Sequence, residues 1–324
     1  MSRSPSSRTF LRVTRTMAAK RKGEAIHGWI VLDKPKGLTS AQAVARVRRA
    51  LNAAKAGHGG TLDPLATGVL PIALGEATKT VAFEMDGSKT YRFTLRWGEA
   101  RSTDDAEGEV IEESAKRPSR ADIEAVLARF TGEILQTPPR YSAIKVEGKR
   151  AYARARADEE FELSPRPVRI DRLVLVSTEG PDLATFEVGC GKGAYMRSLA
   201  RDIGQALGTC SHIVELRRLS AGPFMENQAI SLDSLEALRH SPAALKTLLP
   251  IETALDGIPA LALSEGEARV LRSGQSVPLL RVQDVDRIGS LVPGNAVCAM
   301  ANGKPVALAR FDRGRLRPVR VFNL

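Results

Sequence analysis

The chain has 324 residues, of which 43% are hydrophobic and 26% are charged, so it can bury a proper core and its length suggests about two domains. Its net charge of +11, from 48 Lys and Arg against 37 Asp and Glu, favours a polyanionic partner, with nucleic acid first among them. No apolar run approaches the ~20 residues of a membrane-spanning helix, so we expect no membrane association.

The cysteines and histidines are few and scattered. Cys190, Cys210 and Cys298 are odd in number and lie far apart, without the paired spacing of a zinc site or a disulfide framework. This usage favours a reducing compartment, and we expect a cytoplasmic protein. The four histidines stand apart from one another and from the cysteines. The sequence therefore predicts no metal site.

The N-terminal residues 1–25 are rich in Ser, Thr, Arg and Lys, and no acid occurs before Glu24. Such a segment has little that can pack, so we expect a disordered basic tail. The composition is also that of an organellar transit peptide, and Met17 is an alternative start. The sequence leaves these readings open.

Regular elements are expected from about residue 27. The apolar run 29–32 predicts a strand that ends in the turn 33–37. Ser40 is a candidate N-cap for a helix, because apolar side chains recur behind it at helical spacing. The glycine-rich segment 57–63 then leads into an apolar stretch, 69–74, which predicts a buried strand.

The middle of the chain alternates between strand and helix patterns. In residues 91–97 aromatic and apolar side chains alternate with Arg and Thr, the clearest strand signal in the chain. An amphipathic helix is predicted behind a Ser cap over 119–130. Further elements follow in order: strands over 168–176 and 184–188, a helix over 195–207, and a strand over 212–219. The mixture predicts an α+β fold.

From Pro259 onward the chain changes to short β-like runs separated by Gly and Pro, at 297–301, 306–311 and 319–322. We therefore divide the chain into the tail 1–25, a main domain 26–255 and a small β domain 256–324. The last hairpin carries five arginines against one acid, Asp312. These are Arg310, Arg313, Arg315, Arg317 and Arg320. Such an excess suits a phosphate backbone, the alternative being a solvated charged face.

The segment Gly57-His58-Gly59-Gly60-Thr61-Leu62-Asp63-Pro64 is the most informative part of the chain. Its glycines lack the Gly-Lys-Ser/Thr element of a phosphate-binding loop and the spacing of a dinucleotide fold. Taken alone, Asp63 before Pro64 is an ordinary turn acid.

The wording of this segment, however, closely resembles the signature of the TruB family of tRNA pseudouridine synthases. Further family motifs appear in the expected order, so the resemblance spans about residues 27 to 222. They are Asp33-Lys34-Pro35-Lys36-Gly37-Leu38-Thr39-Ser40, Lys89-Thr90-Tyr91, Tyr141-Ser142-Ala143-Ile144-Lys145, Gly193-Ala194-Tyr195-Met196-Arg197 and Leu216-Arg217-Arg218-Leu219. One departure is Gly59, which stands where the family commonly has Thr or another small side chain.

The resemblance implies a role for six residues. Asp63 matches the catalytic aspartate, and Arg197 matches the arginine that pairs with it, although a lone helix arginine is ordinarily just solvated. Four positions match residues that hold the flipped RNA or the target uridine: His58, Tyr91, Tyr195 and Leu216. By pattern alone, Tyr91 and Leu216 would simply be core residues.

Other polar residues are assigned more plainly. We expect phosphate or structural contacts from four cations near the motifs, with an unremarkable surface charge as the alternative for each: Lys34, Lys145, Arg217 and Arg218. Asp104 and Asp105 are not taken as a metal pair, and we expect them to shape a turn.

The activity that the resemblance implies is isomerisation of the T-loop uridine of tRNA, at the position conventionally numbered fifty-five. The fold would be a mixed or antiparallel-sheet pseudouridine synthase domain followed by a small PUA-like RNA-binding β domain. We expect an isomerase that needs no cofactor, binds the tRNA T-arm, and acts as a monomer without a protein partner. Whether Asp63 attacks ribose C1′ or acts as a base is left open.

Three alternatives compete with this hypothesis. A guide-dependent synthase would work inside a larger ribonucleoprotein, which a compact chain disfavours. An RNA-binding or folding factor without catalysis would need only the basic charge and the β tail. A carbohydrate glycosidase is disfavoured by the aromatic content of 5% and by the lack of an evident second catalytic acid.

Overall fold

The computed structural model describes residues 23–142, 144–146, 148–157, 159–239, 241–279, 284, 288–289 and 291–324. Residues 1–22 of the predicted tail lie outside this part of the chain. Backbone pairing has begun by Glu24, whose N–H donates to the carbonyl of Asn52 at 2.7 Å.

The strands are named in chain order. They are β1 (Gly28–Lys34), β2 (Ala56–His58), β3 (Thr67–Leu74), β4 (Lys89–Trp97), β5 (Glu99–Arg101), β6 (Val110–Glu113), β7 (Gly132–Gln136), β8 (Lys145–Val146), β9 (Lys149–Arg150), β10 (Arg166–Glu179), β11 (Leu183–Cys190), β12 (Ser211–Ala221), β13 (Phe224–Met225), β14 (Ile230–Ser231), β15 (Ala260–Ala262), β16 (Val277–Pro278), β17 (Ala296–Ala301), β18 (Lys304–Asp312) and β19 (Arg315–Val321).

The α-helices are short. They are α1 (Ser40–Ala50), α2 (Val81–Asp86), α3 (Arg120–Val126), α4 (Ala151–Arg156), α5 (Met196–Ala206), α6 (Leu232–Ala237), α7 (Pro242–Leu245) and α8 (Glu265–Arg272). Single 3-10 turns lie at Gly75–Lys79, Leu127–Phe130, Glu226–Gln228 and Ile251–Leu255. In the described residues, no helix is long and apolar enough to cross a membrane.

The main domain is built on a large mixed sheet, and the predicted α+β class is confirmed. Its strand order is β14-β1-β3-β12-β4-β11-β10-β7, with β2 paired to β3 and β13 paired to β12. The pairs β1/β14 and β3/β12 are parallel, and the other pairs are antiparallel. The predicted strand in β4 lies near the middle of this sheet. Phe93, Leu95 and Trp97 are buried there, while Arg92 and Arg96 on the same strand are exposed.

Strand β3, which follows the glycine-rich segment 57–63, is buried on both faces, which explains its continuous apolar sequence. On β3, Leu70 and Ile72 join the main core cluster. Val69 and Ala73 face the other way, into a second cluster that includes Leu308 of the C-terminal sheet. That sheet, ordered β15-β17-β18-β19-β16, therefore packs against the back of the strands that carry the loop.

Helix α1 begins one residue earlier than the sequence suggests, at Ser40, and its cap is a different residue. Thr39, not Ser40, is the N-cap: its side chain accepts from the Gln42 N–H at 3.2 Å, and the Gln42 side-chain oxygen accepts from the Thr39 N–H at 2.9 Å. The predicted Ser40 cap is wrong because the Ser40 hydroxyl is engaged elsewhere, with the backbone of Leu62. The predicted Ser119 cap of α3 is confirmed, and the helix tightens to a 3-10 turn after Val126.

Candidate active site

The segment that carries Asp63 is a tight connection between β2 and β3, which pair as antiparallel neighbours. Ser40 at the start of α1 holds it from one side: its hydroxyl accepts from the Leu62 N–H at 2.8 Å and donates to the Leu62 carbonyl at 3.0 Å. Leu62 and Leu65 are buried on either side of Asp63. Each net hydrogen bond contributes about 1 kcal/mol and each buried leucine about 2 kcal/mol, so the loop is a fixed part of the core.

Arg197, the second residue of α5, meets Asp63 directly. Its Nε donates to Asp63 Oδ2 at 3.0 Å, so the structure brings together the two residues expected to pair. The remaining guanidinium nitrogens donate to the carbonyls of Thr103 at 3.0 Å and Tyr141 at 2.9 Å. The Arg197 side chain is 6% exposed and that of Asp63 is 38% exposed. The cation is thus held on three sides, while the carboxylate keeps an open side.

A second carboxylate, Asp105, lies beside the same guanidinium, with Oδ2 3.6 Å from Arg197 Nε. Its Oδ1 accepts from the Thr103 hydroxyl at 2.5 Å and from the Glu107 N–H at 3.1 Å, which confirms the predicted turn. The turn also places the buried Asp105 carboxylate beside Arg197, which the sequence did not reveal. Nothing in the local sequence signals this contact, because it joins segments 92 residues apart.

The neighbouring acid, Asp104, belongs to a separate ion pair. Its Oδ2 lies 3.1 Å from Arg201 Nη1, one helical turn beyond Arg197 on α5. Burial raises the pKa of Asp104, and the Arg201 and Arg197 charges oppose that rise. Among the described residues, no group of three or more His, Cys, Asp or Glu side chains could hold a metal ion.

Lys34 makes structural contacts. It is fully buried, and its Nζ donates to the carbonyls of Pro35 at 2.9 Å, Leu38 at 2.7 Å and Pro64 at 3.4 Å. Burial lowers the pKa of Lys34 to about 8, although the charge of Asp63 acts in the opposite direction. This lysine therefore ties the Asp33–Ser40 motif to the Asp63 loop.

Arg218 and Arg217 are also structural. Arg218 is 1% exposed and donates to the carbonyls of Val69 at 2.7 Å and Gly60 at 3.1 Å, so it holds both ends of the loop. Arg217 pairs with Asp33, with both of its N–O distances at 3.0 Å, and with Glu226. The side chain of Lys145 lies outside what the structure describes.

Two of the expected uridine contacts flank the ion pair. Tyr195 is the residue before α5, and its backbone exchanges hydrogen bonds with the Gln136 side chain at 2.8 and 3.1 Å. Burial raises the pKa of Tyr195, and the charge of Asp63 raises it further. Tyr91 on β4 pairs in register with Arg218, whose guanidinium carbon lies 6.0 Å from the centre of the Tyr91 ring.

The other two expected contacts are Leu216, which is buried, and His58, which is half-buried. Leu216 on β12 is 8% exposed and lies in the main core, opposite Phe93 in register. His58 ends β2, and its Nδ1 is buried without a hydrogen-bond partner among the described residues. Burial and the Arg218 charge both lower the pKa of His58, so the neutral imidazole is favoured.

Comparisons with known proteins give this geometry a family context. Residues 48–196 match the domain family described as TruB family pseudouridylate synthase (N terminal domain), and residues 197–256 match the tRNA pseudouridylate synthase B C-terminal domain. Proteins named tRNA pseudouridine synthase B are 56% identical in Rhodospirillum rubrum and 53% identical in Caulobacter sp. strain K31. Each alignment spans 95% of this chain and all of the relative.

A solved structure is similar along nearly the whole chain. It is the archaeal box H/ACA sRNP Nop10–Cbf5 complex, which superposes with a TM-score of 0.70 at 26% identity over 96% of this chain and 94% of the other. The arrangement of the main sheet and the C-terminal β domain is therefore that of a known fold.

Proposed function

The chain belongs to the TruB family of pseudouridine synthases, and we propose that it converts the T-loop uridine of tRNA, at the position numbered fifty-five, to pseudouridine with Asp63 as its catalytic residue. The observation that carries this proposal is the Asp63–Arg197 contact of 3.0 Å on a loop fixed from both sides. The relatives from Rhodospirillum rubrum and Caulobacter sp. strain K31, which are 56% and 53% identical, are both named for the tRNA reaction.

The reaction needs an ionised carboxylate in a site that excludes water. The bond from ribose C1′ to uracil N1 breaks, the base turns, and uracil C5 forms a new bond to C1′. C5 then loses its proton, and N1 gains a proton. Asp63 can attack C1′ as a nucleophile or remove a ribose proton as a base, and in either role it must be charged. The guanidinium of Arg197 stabilises the negative charge of Asp63, so the carboxylate can stay ionised when the bound RNA covers it.

The open side of Asp63 determines how substrate enters. A uridine stacked in an RNA loop must be extruded to reach the carboxylate, and the site has to replace its lost stacking. We assign this task to Tyr91, Tyr195 and Leu216, with His58 holding the displaced RNA. Tyr195 supports the assignment because it precedes Arg197 by two residues, and Tyr91 does so because it contacts the arginine that holds Gly60.

The rest of the tRNA requires a basic surface outside the pocket. The β18–β19 hairpin supplies one, because all five of its arginines are exposed and Arg310 pairs in register with Arg317. We assign to it contacts with tRNA phosphates, which position the substrate without reading its sequence. We further propose that the enzyme acts as a monomer in the cytoplasm.

A guide-dependent activity is less well supported. The similar solved structure is a complex with Nop10, but its chain is 26% identical to this one, against 56% for the tRNA-modifying relative. Since substrate and product are isomers, the reaction itself calls for no redox or group-transfer cofactor.

The proposal is tested with a tRNA transcript labelled with tritium at uridine C5. The purified protein should release one equivalent of tritium per tRNA, because bond formation at C5 displaces that hydrogen. A transcript in which cytidine replaces only the T-loop uridine should release none. Release that persists from this second transcript would place the reaction elsewhere in the RNA, and no release from either would refute the activity.

A further inference from the structure

Glu84, on α2, is a buried acid that the proposed chemistry does not use. The residue is 1% exposed, and neither carboxyl oxygen has a hydrogen-bond partner among the described residues. A buried acceptor without a hydrogen bond lowers the equilibrium constant for folding by on the order of several-fold to a hundredfold, so its presence needs an explanation.

The carboxyl group occupies the space that a side chain at position 59 would fill. A Cβ added to Gly59 would lie 1.9 Å from Glu84 Oε2 and 2.4 Å from Cδ, far inside contact distance. The backbone of Gly59 is not in the left-handed region, in contrast to Gly60 with φ of +82°. Glycine at position 59 is therefore explained by Glu84 alone, because the backbone there would accept any residue.

The surroundings of Glu84 link it to the catalytic loop. The nearby cations are Lys89 and Arg218, which oppose the rise in the pKa of Glu84 caused by burial. Lys89 Nζ donates to the carbonyls of Glu84, Met85 and Gly87 and so closes the end of α2. Arg218 holds the carbonyl of Gly60, the residue after the one that Glu84 contacts.

We propose that Glu84 is a positioning residue for the isomerisation, its carboxyl group replacing a side chain at position 59 as the packing beneath the Asp63 loop. The contact fixes the Gly59–Gly60 backbone against α2, and the loop carries that position through Leu62 to Asp63. The inference rests on the proposed function, since it assigns Glu84 a purpose only if this loop is catalytic.

Exchanging the two side chains tests the proposal. Four proteins are compared: wild type, Gly59→Thr, Glu84→Ala and the double variant. Threonine is chosen because the family commonly carries it at this position. The measurements are the single-turnover rate of tritium release, the KM for tRNA and the melting temperature of each protein.

Each single change should slow the reaction at least tenfold. Gly59→Thr places two groups in one space, and Glu84→Ala leaves the loop without support. The double variant restores one group in that space and should recover to within threefold of wild type. The KM for tRNA should stay within twofold throughout, because no RNA contact is removed. Glu84→Gln, which keeps the size and removes the charge, should also stay within threefold.

Met85→Ala on the exposed side of the same helix is the matched control and should stay within twofold. The inference would be overturned if the rate of the double variant fell by the product of the two single losses, or if Glu84→Ala reacted at the wild-type rate. Either result would leave the proposed function intact. Variants that lose melting temperature but keep the rate would show a merely structural contact and overturn it as well. A wild-type protein that releases no tritium would refute the proposed function, and this inference with it.

Discussion

Arg197 Nε lies 3.0 Å from Asp63 Oδ2, across 134 residues of chain. The arginine is buried and bonded on its other nitrogens, whereas more than a third of the aspartate side chain remains exposed. This asymmetry suits a pair in which the cation is fixed scaffolding and the carboxylate is the reacting group. A buried arginine also costs desolvation, which three acceptors offset in this case.

Replacement of Arg197 by lysine should abolish most of the rate although it keeps the charge. An ammonium cannot reach Asp63 Oδ2 and the carbonyls of Thr103 and Tyr141 together, because it lacks the planar fork of a guanidinium. We expect kcat to fall about a hundredfold, equivalent to about 3 kcal/mol, with KM changed less than threefold. Steady-state tritium release measures both. Arg201→Lys, one turn further along α5, is the matched control and should lose less than threefold; equal losses would contradict the account.

Asp105→Asn should slow the reaction about tenfold by removing one charge at 3.6 Å from Arg197. The amide oxygen can still accept from Thr103 and Glu107, so the turn should survive and the melting temperature should change little. Single-turnover rates provide the readout, with Asp104→Asn as the comparison because its charge is directed to Arg201. A normal rate for Asp105→Asn would show that the second carboxylate does not help to orient Arg197.

The sequence predicts part of the candidate site, and contacts between distant segments supply the rest. The Asp63 motif and its partner Arg197 were predicted through the family resemblance, and the structure brings them together. The approach of Asp105 to Arg197 and of Glu84 to Gly59 was not predicted, because each contact joins segments that are distant in the chain. Lys34 and Arg218 show the same limit, since only the fold reveals that these cations are buried on backbone carbonyls.

Stability at alkaline pH should carry a signature of Lys34. Its pKa is about 8 in the folded protein and 10.5 ordinarily, so between these values the unfolded chain binds more protons. The free energy of unfolding then rises with pH, by up to about 1.4 kcal/mol per pH unit. Other groups titrate as well, so the quantity to measure is the difference between wild type and Lys34→Met in urea unfolding. The free energy of unfolding of wild type should rise relative to that of Lys34→Met from pH 7.5 to 10. A difference that does not change with pH would refute the lowered pKa of Lys34.

The arginine hairpin should contribute affinity that depends on salt. Replacing both Arg315 and Arg317 with glutamine should weaken tRNA binding. It should also make the slope of log K for tRNA binding against log salt concentration less steep by about two, one for each lost phosphate contact. The value of kcat at saturating tRNA should not change. Lysine at both positions keeps the charge and should retain most of the slope. Equal slopes for the glutamine variant and wild type would leave the hairpin as a solvated face.

The fold was predicted best where periodicity is strong. The alternation in β4 and the helical spacing in α5 each located an element to within a residue or two. The Ser40 cap was wrong because two adjacent residues had suitable hydroxyls, and a bond to Leu62 decided between them. Helix α8 inside the predicted β domain was missed, since its eight residues lie among strong strand and turn signals.

The central claim is that Asp63 carries the chemistry, and its most direct test is single-turnover tritium release by Asp63→Asn with tRNA binding measured in parallel. Asparagine keeps the shape and the contact with Arg197 but cannot act as nucleophile or base. The account predicts no detectable release together with a Kd for tRNA within a few fold of wild type. Release at the wild-type rate would remove Asp63 from the mechanism.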